Sequence, residues 1–247
     1  MARTAAILII GNEILTGKVK DQNVALLAAE FFALGVSLRR VVVCPDEVEV
    51  IARDVNELRL THDFVITTGG VGPTHDDVTI QGVAAAFGRN ITRSAEMEER
   101  LRAHYKERIT EGHLRMADMP EGADLVRNAE VPWPTVAVEN VFIFPGVPEL
   151  LKLKFPVLRD RLRDGAPFAT RAVYTLCDEG EIAELLISLV KAHPEVAIGS
   201  YIKWRGTDYT TKLTFDGKDS GAVDRAADAL IAAIPQEKLV TLKAGSA

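Results

Sequence analysis

The sequence predicts an α/β protein in two parts: a three-layer α/β/α domain around a mostly parallel sheet, followed by a small α+β domain. Three observations predict this fold class. Short apolar runs alternate with amphipathic segments over the first two thirds of the chain, which is typical of strands joined by crossover helices. Glycine-rich or polar turns follow these apolar runs directly. Near residue 165 the predicted order changes to strand, helix, two strands, helix and strand.

Apolar periodicity predicts the elements of the first domain. Residues 5–10 form a continuous apolar run, typical of a strand that is buried on both faces of a parallel sheet. Helices are predicted where apolar residues recur every three or four positions. The predicted elements are a strand at 5–10, a helix at 22–34, a strand at 36–43, a helix at 47–60, a strand at 64–66, a helix at 78–87, a charged helix at 94–111 and a strand at 141–144. Residues 120–123 and the proline-broken segment 131–134 are predicted to be loops.

The second domain is predicted as a split βαβ arrangement, with 1–164 and 165–247 as the two domains. The glycine and proline corner at 165–167 marks the boundary. Residues 204–208 are predicted to form the hairpin between its two central strands. The predicted elements are a strand at 170–176, a helix at 179–192, strands at 196–203 and 210–215, a helix at 221–234 and a strand at 238–242.

Composition excludes several functional classes. The 247 residues are 47% hydrophobic and 26% charged, so the chain can bury a substantial core. A formal net charge of −6 argues against nonspecific nucleic-acid binding. Cys44 and Cys177 form neither a disulfide framework nor a metal-binding pattern. The sequence has no signal-like or membrane-spanning run, so we expect a cytoplasmic protein without a nucleic-acid or membrane partner.

The segment 67–79 carries the most chemical information. It places three glycines and two adjacent carboxylates, Asp76 and Asp77, after a predicted strand and before a predicted helix. Glycines let backbone N–H groups approach a phosphate, and the helix N-terminus adds favourable electrostatics. The carboxylates would repel that phosphate unless a hard cation lay between them. The segment matches neither the Walker A nor the Rossmann pattern, and a helix cap preceded by turns explains the same residues without a ligand.

Three other strand ends are predicted to meet this segment. In a parallel sheet, ligands bind beyond the carboxyl ends of the strands. Residues 11–13, 45–46 and 145–149 each follow a predicted strand, so they should converge on the same crevice. The residues expected to bind substrate there are Gly11, Asn12, Glu13, Thr68, Gly69, Gly70, Gly72, Thr79, Gly146, Pro148 and Glu149.

Residues 69–79, 11–15 and 144–149 together resemble the MoaB/Mog-type molybdopterin-binding domain. They most resemble the branch found in competence/damage-inducible protein A. The domain fused to eukaryotic FAD synthases is closer still, because it shares the form Gly-Gly-Val-Gly-Pro-Thr-His-Asp-Asp-Val-Thr at 69–79. The resemblance covers roughly residues 4–155, and short segments at 199–201 and 212–214 are similar to the region after that domain.

The resemblance implies two functions for one crevice. In pterin-binding members, aspartates at the positions of Asp46 and Asp77 serve the metal and an adenylylated pterin. In the competence and FAD synthase branches, it implies hydrolysis of a dinucleotide pyrophosphate such as ADP-ribose or FAD, with Mg²⁺, Mn²⁺ or Co²⁺ and with K⁺ as a further cation. It also implies a homo-oligomer, either a dimer or a trimer.

The sequence departs from the bacterial pattern in ways that limit what can be carried over. Residues 131–135 stand where a Gly-Thr-Ala-Pro-Gly stretch is usual, so contacts of that stretch are not transferred. The sequence ends without the amidohydrolase domain of competence proteins, so nicotinamide nucleotide deamidation is not expected. It also lacks the synthetase half of the eukaryotic enzymes, so FAD synthesis is not expected.

The leading hypothesis is an enzyme, a nucleotide pyrophosphatase of the hydrolase class that releases AMP. Asp46, Asp76 and Asp77 would be the catalytic and metal-binding residues, the amides of 69–72 would cradle phosphate, and Thr79 and Asn12 would donate hydrogen bonds to it. The alternative is a noncatalytic molybdopterin- or nucleotide-binding protein. A third hypothesis gives the tip at 203–205 a role in protein or nucleic-acid contact, although a solvated turn explains it more simply.

Overall fold

The chain divides into two units, Met1–Gly165 and Ala166–Ala247. A computed structural model describes residues 2–128, 131–163, 165–205 and 208–241. The division falls one residue from the boundary expected at 164/165.

The first unit contains eight strands and eight α-helices among the residues described. Its strands are β1 (Thr4–Ile10), β2 (Ser37–Cys44), β3 (Phe64–Thr68), β4 (Ile91–Arg93), β5 (Asp118–Pro120), β6 (Asp124–Asn128), β7 (Val131–Val138) and β8 (Val141–Phe144). Its helices are α1 (Asn12–Leu15), α2 (Asn23–Ala33), α3 (Val48–Thr61), α4 (Thr79–Ala86), α5 (Ala95–Tyr105), α6 (Glu111–Arg115), α7 (Pro148–Lys154) and α8 (Arg159–Leu162).

A six-stranded sheet forms the centre of this unit, in the order β2-β1-β3-β8-β7-β6. The four strands β2, β1, β3 and β8 pair in parallel, whereas β8, β7 and β6 pair antiparallel. Ile9 pairs with Thr68, and Thr68 pairs with Phe144, so these strands end level with one another. The mostly parallel sheet predicted from the sequence is confirmed, and its carboxyl ends share one edge.

Helices cover both faces of the sheet, as the three-layer prediction requires. Alternate residues of β1 point to opposite faces. Ile7 and Ile9 share one core with Leu27 and Phe31 of α2. The other core joins β1 to α3 and α4 and contains Leu8, Ile10, Ile51, Val55 and Val83. Both faces of β1 are therefore buried in a hydrophobic core.

The predicted loop at 131–134 is wrong, because these residues begin strand β7. β7 forms a hairpin with β8 in which Val136 pairs with Ile143, beyond the prolines. On its other side it pairs with β6, where the register shifts between Val126 and Asn128. That irregularity lies opposite the proline segment, which supplies no N–H at its two prolines. Pairing with β6 at Val131, and with β8 further along the strand, overrides the local signal of the prolines.

The single charged helix predicted at 94–111 is also wrong. α5 ends at Tyr105, because the next residue, Lys106, has a φ of 51° that is incompatible with a continuing helix. A 3-10 turn at Lys106–Arg108 follows, and α6 then starts after Thr110. Thr110 caps α6 because its hydroxyl accepts from the backbone N–H of His113. The strands β4, β5 and β6 were not predicted, and Pro120, the first residue of the predicted loop at 120–123, belongs to β5.

The second unit has the predicted β-α-β-β-α-β order. Its elements are β9 (Ala169–Thr175), α9 (Glu179–Ala192), β10 (Ala197–Ile202), β11 (Thr211–Gly217), α10 (Ser220–Ala233) and β12 (Leu239–Val240). The strands form an antiparallel sheet in the order β10-β11-β9-β12. Both helices pack on one face, where Ile182 and Leu230 meet Leu213 and Phe215. Residue 242 of the predicted last strand and residues 206 and 207 of the predicted hairpin lie outside the described residues.

The longest described helices, α3, α9 and α10, have 14 residues each. Within the ranges that the structure describes, no helix is both long and apolar enough to cross a membrane. Both cysteines are buried and free. Burial, followed by the nearby carboxylates of Asp54 and Asp46, raises the pKa of the Cys44 thiol to about 12, so this cysteine is a neutral core residue.

Candidate functional site

The loops that follow β1, β2, β3 and β8 meet at the carboxyl edge of the sheet. The backbone N–H of Gly11 donates to the carbonyl of Cys44 at 3.1 Å, which joins the first two loops. The N–H of Gly69 donates to the carbonyl of Phe144 at 3.2 Å, which joins the other two. The predicted convergence of these four strand ends is therefore present in the structure.

Two glycines give the loop after β3 its path. Gly69 and Gly70 have φ values of 101° and 61°, in the region that favours glycine. A Cβ on Gly69 would lie 2.0 Å from the backbone oxygen of Ile10, and one on Gly70 would lie 2.4 Å from Thr79 Oγ1. A Cβ on Gly146 would lie 3.2 Å from the Cα of Gly69. The bare backbone of this loop is thus packed tightly against both neighbouring strand ends.

Thr79 and Thr68 support the loop from inside the protein. Thr79 begins α4, is fully buried, and donates its hydroxyl proton to the carbonyl of Gly69 at 2.7 Å. Its backbone N–H donates to Gly70 at 3.0 Å. Thr68 is buried as well. The hydroxyl of Thr79, expected to donate to phosphate, is instead committed to holding Gly69 in place.

The Asp77 carboxylate bonds to Thr74 within the same glycine-rich segment. Its Oδ2 accepts a hydrogen bond of 2.9 Å from the backbone N–H of Thr74 and a further bond from the Thr74 hydroxyl. A Cβ on Gly72 would lie 2.7 Å from the same oxygen. The carboxylate therefore sits over Gly72, beside the backbone that was predicted to hold phosphate.

Asp76 has a different setting from its neighbour. Its side chain is 64% exposed, and Nδ1 of His75 lies 3.9 Å from Asp76 Oδ1. A hydrogen bond from the Thr74 side chain and one from the Asp76 backbone hold the pKa of Asp76 below its usual range. Asp76 is therefore a solvated anion at neutral pH and a weaker proton acceptor than an ordinary aspartate.

Asp46 reaches the site from the end of β2. Its Oδ2 accepts a hydrogen bond of 2.8 Å from the backbone N–H of Asn12. Its Oδ1 would lie 3.4 Å from a Cβ on Gly70. Glu13 folds back over the end of β1, since a Cβ on Gly11 would lie 2.6 Å from its Oε1. The structure thus brings Asp46 against the glycine loop and places Glu13 against the neighbouring strand end.

The carboxylates suit a hard cation held together with a phosphate. Within residues 2–128, 131–163, 165–205 and 208–241, no three His, Cys, Asp or Glu side chains are gathered into a group that could hold a metal ion. Mg²⁺ usually keeps several waters and takes one or two carboxylates together with substrate phosphates. Asp46 and Asp77, which flank Gly70 and Gly72, fit that mode of binding. The predicted trio of Asp46, Asp76 and Asp77 is not assembled as a group.

The remaining predicted residues begin helix α7. Pro148 occupies the first turn, where its fixed φ and missing N–H are well tolerated. Glu149 follows it and is exposed, and the positive end of the helix accounts for its charge. The structure gives Gly146 a contact with the glycine loop, whereas Pro148 and Glu149 have a structural explanation of their own.

Asn23 is a part of the site that sequence reasoning missed. It is 3% exposed and lies at the start of α2. Its Nδ2 donates to the carbonyl of Gly146 at 2.8 Å and to Thr68 Oγ1 at 3.3 Å, so it ties the loops after β3 and β8 together. The only sequence signal is the polar segment 21–23, which equally predicts a helix start.

The first unit is therefore an α/β domain whose largely parallel sheet presents a glycine loop and two carboxylates at its carboxyl edge. Two known families match this chain. Residues 6–164 match the family described as probable molybdopterin binding domain, and residues 167–243 match the family described as FAD synthase, middle domain. The first match covers more than half of this chain, so the chain belongs to the probable molybdopterin binding domain family.

Individual relatives cover most of this chain. A protein from Archaeoglobus fulgidus is 34% identical over 220 residues, which cover 89% of this chain and 93% of that protein. A probable FAD synthase from Caenorhabditis briggsae is 32% identical over 257 residues, which cover 92% of this chain and 49% of the relative. The chain thus spans about half the length of that relative.

A solved structure shares much of this fold. The protein CinA from Thermoplasma acidophilum, described as having unknown function, is 27% identical and superposes with a TM-score of 0.60. The match covers 65% of this chain and 98% of that protein. The resemblance to the competence-protein branch is therefore confirmed.

Proposed function

We propose that this protein hydrolyses the pyrophosphate linkage of a nucleoside diphosphate compound such as FAD or ADP-ribose, with a divalent metal, and releases AMP. One observation carries the proposal: carboxylates from two different strand ends adjoin the same short glycine segment. Asp46 Oδ1 would lie 3.4 Å from a Cβ on Gly70, and Asp77 Oδ2 would lie 2.7 Å from a Cβ on Gly72. A pyrophosphate bound to the amides of this segment would have a carboxylate, able to coordinate a metal ion, at each end of the segment.

In this proposal the backbone does the binding. The amides of residues 70–72 and the N-terminus of α4 attract the phosphate oxygens, whereas the N–H of Gly69, which was expected to join them, is bonded to the carbonyl of Phe144. Several contacts hold this backbone in place. Thr79 donates to the carbonyl of Gly69, and Asn23 donates to the carbonyl of Gly146. The two glycines of the loop pack closely against Ile10 and Thr79. Preorganised donors of this kind stabilise developing charge without reorganising during the reaction.

The carboxylates do the chemistry. A divalent cation held by Asp46 and Asp77 would neutralise phosphate charge and make a bound water a better nucleophile. The water oxygen bonds to one phosphorus, the bridging P–O bond breaks, and the proton of the water passes to a carboxylate. Asp76, whose pKa is lowered by Thr74, contributes negative charge more readily than it takes up a proton. The products from FAD are AMP and FMN.

The relatives support the choice of substrate. Similar proteins from Caenorhabditis briggsae and Caenorhabditis elegans are named probable FAD synthase, and the second unit matches the middle domain of that family. FAD contains the pyrophosphate linkage that this site would take.

The test is direct. Purified protein is incubated with FAD or ADP-ribose and Mg²⁺, Mn²⁺ or Co²⁺, and AMP is measured by chromatography. We expect AMP in the presence of at least one metal and its loss on chelation. Asp77→Asn should lower the rate while leaving the circular dichroism spectrum unchanged. If no AMP appears with any of the three metals, the proposal fails for these substrates.

A noncatalytic role is the second candidate, and the family match favours it. The first unit matches a probable molybdopterin binding domain, a description that names binding and no reaction. Isothermal titration calorimetry separates the two candidates. Tight binding of FAD or a pterin with intact ligand recovered afterwards would support the binding protein and contradict the hydrolase.

A further inference from the structure

The sheet of the second unit has one face against its helices and one face without them. Both described helices of this unit pack against the side of β11 that carries Leu213 and Phe215. Along β11 the buried residues alternate with the partly buried residues Lys212, Thr214 and Asp216. Successive residues of a strand point to opposite faces. Lys212, Thr214 and Asp216 therefore point to the face without helices, which we call the open face.

The strand register places a cation between two tyrosines on the open face. Lys212 pairs with Tyr201 of β10 and with Tyr174 of β9. Side chains of residues that lie directly opposite each other share one face of the sheet. Tyr201, Lys212 and Tyr174 therefore form a row that crosses three strands of the open face.

The next row consists of small side chains and forms a floor beside the first. Thr214 pairs with Gly199 of β10 and with Ala172 of β9. The ring of Tyr201 folds back over this floor, because a Cβ on Gly199 would lie 3.0 Å from Tyr201 Oη. The same Cβ would lie 2.9 Å from Thr214 Oγ1. The absence of a side chain at Gly199 thus leaves the space that the tyrosine ring occupies.

The hydroxyl of Thr214 lacks a hydrogen bond in this arrangement. Its Oγ1 is buried and has no partner among the described residues. A buried hydroxyl without a partner costs free energy. Tyr201, which lies beside it, is 57% exposed. If the tyrosine ring turns away from Gly199, the Thr214 hydroxyl becomes available to a ligand on the floor.

The other tyrosine of the row is held in place. The ring of Tyr174 meets the ring of Tyr209 edge-on, with the centroids 5.0 Å apart. Lys203 Nζ lies 4.5 Å from the centroid of the Tyr209 ring and 2.7 Å from an oxygen of Asp208. Tyr174 is therefore a supported side of the floor, and the ammonium group of Lys203 is already paired with a carboxylate.

Lys212 gives the open face a positive charge that no near carboxylate balances. Its Nζ lies 5.9 Å from the centroid of the Tyr174 ring, and it forms no ion pair with any described residue. Asp216 lies four positions further along β11, roughly 13 Å away. The chain as a whole has a formal net charge of −6 and repels large anions. A single cation between two rings suits a ligand with one compact anionic group.

We propose that the open face binds a mononucleotide, with its planar base on the small-residue floor and its phosphate at Lys212. Stacking on aromatic side chains tolerates any base, since every base has a π-face. The Thr214 hydroxyl would bond to the base, and the ring of Tyr201 would cover it. Three neighbouring strands span about 10 Å, which is room for one base. The proposal does not rest on hydrolysis in the first unit.

The test is equilibrium binding to the full chain, measured by isothermal titration calorimetry. FMN and AMP are the two probes, and riboflavin and adenosine are the matching probes without a phosphate. We expect at least one of the two mononucleotides to bind with a dissociation constant below about 100 μM. Its counterpart without a phosphate should bind about tenfold more weakly, because it has no anion for Lys212.

Substitutions in the first row locate the binding. Lys212→Met should raise the dissociation constant of the mononucleotide about tenfold and leave that of the compound without a phosphate unchanged. Tyr201→Ala should weaken both about tenfold by removing the stacking ring, whereas Tyr201→Phe should bind as the native chain does. Lys191→Met is the control, since Lys191 is exposed on helix α9, which packs on the other face of the sheet.

Thr214→Val separates binding from structure. It keeps the shape of the side chain and removes the buried hydroxyl that has no partner. The midpoint of urea denaturation should rise, while the mononucleotide should bind about threefold or more weakly. A residue with a merely structural role would not gain stability and lose affinity in the same variant.

Three results would overturn the proposal. One is a native chain that binds neither FMN nor AMP up to about 1 mM. Another is a dissociation constant that is the same in Lys212→Met and Tyr201→Ala as in the native chain, because the ligand would then bind elsewhere. The third is tighter binding of a short single-stranded RNA than of either mononucleotide, which would make nucleic acid the occupant. FMN and AMP contain no pyrophosphate linkage, so each result is independent of whether the protein hydrolyses FAD.

Discussion

The two units differ in the direction of their strands, and this difference determines where the loops at the strand ends lie. In the first unit β2, β1, β3 and β8 run parallel, so the loops at their carboxyl ends gather at one edge. In the second unit every described pair of neighbouring strands is antiparallel, so β9 and β10 end at one side of the sheet and β11 and β12 end at the other. The parallel sheet gathers its polar loops at one edge, whereas the antiparallel sheet divides its strand ends between two edges.

The largest effect is expected where the parallel strand ends press together. Gly69→Ala places a Cβ 2.0 Å from the backbone oxygen of Ile10 in a residue with φ of 101°. Backbone must move to relieve that clash, so we expect the free energy of unfolding to fall by about 4 kcal/mol or more. Urea denaturation measures it.

Gly88→Ala is the matched control for that substitution. Gly88 also has a positive φ, of 60°, but a Cβ there would meet nothing within 4 Å. Only conformational strain remains, so the loss should be about 1 kcal/mol. Equal losses in the two variants would show that the close approach of the strand ends contributes nothing to stability.

The next effect separates the two ends of the parallel sheet. Asp46→Asn removes an anionic ligand at the carboxyl edge, and the rate of AMP release should fall by about two to three orders of magnitude. The measurement is the initial rate at saturating metal, with unfolding followed in parallel to show that the fold persists.

Asp63→Asn provides the control from the amino end of the sheet. Asp63 Oδ2 accepts bonds from Thr4 N and Thr4 Oγ1 at 2.7 and 2.8 Å, so it resembles Asp46 in binding a neighbouring backbone N–H. Because it lies at the amino end of β3, its substitution should leave the rate within about twofold of the native value. A rate loss as large as that of Asp46→Asn would contradict the location of the site.

A smaller effect tests how the antiparallel strand β7 is joined to the helix after β8. Lys154 Nζ donates to the carbonyl of Pro134 at 2.9 Å, and burial lowers the pKa of Lys154 from 10.5 to about 8. Between these values the unfolded chain binds more protons than the folded one, so stability rises with pH. Lys154→Met lacks this gain, so its stability relative to the native chain should fall by about 2 kcal/mol between pH 8 and pH 10.

Urea denaturation at several pH values measures that slope. Lys152→Met is the control, since Lys152 lies on the same helix but is exposed. Its stability relative to the native chain should not change with pH over this range. If Lys154→Met showed the same flat profile, burial of the ammonium group would have no energetic consequence.

The parallel part of the fold could be predicted because its signals are local. Continuous apolar runs marked β1 and β3, and the glycines at 69 and 70 marked the turn that follows β3. β7 could not be predicted in this way, because two prolines hide a strand whose pairing comes from β8 and from an irregular register with β6. Strand pairing of this kind is not visible in a local pattern.

In the candidate site as well, local signals were predicted and long-range contacts were not. The sequence predicted which strand ends converge, since topology alone determines that. It did not predict Asn23, whose bond to Gly146 spans 123 residues of the chain. Nor did it predict that the hydroxyl of Thr79 turns inward, because the direction of that bond to Gly69 depends on the folded path of the loop. Residues that act by holding others in place carry the weakest sequence signal.

The central claim is that the carboxylates at the parallel edge break a pyrophosphate bond. A single-turnover experiment tests it most directly: the protein is held in excess over FAD with Mg²⁺, Mn²⁺ or Co²⁺, and the reaction is quenched at intervals for chromatography. We expect AMP and FMN to appear in equal amounts as FAD disappears, and we expect Asp46→Asn to slow both. FAD that binds and is recovered intact with every metal would contradict the claim.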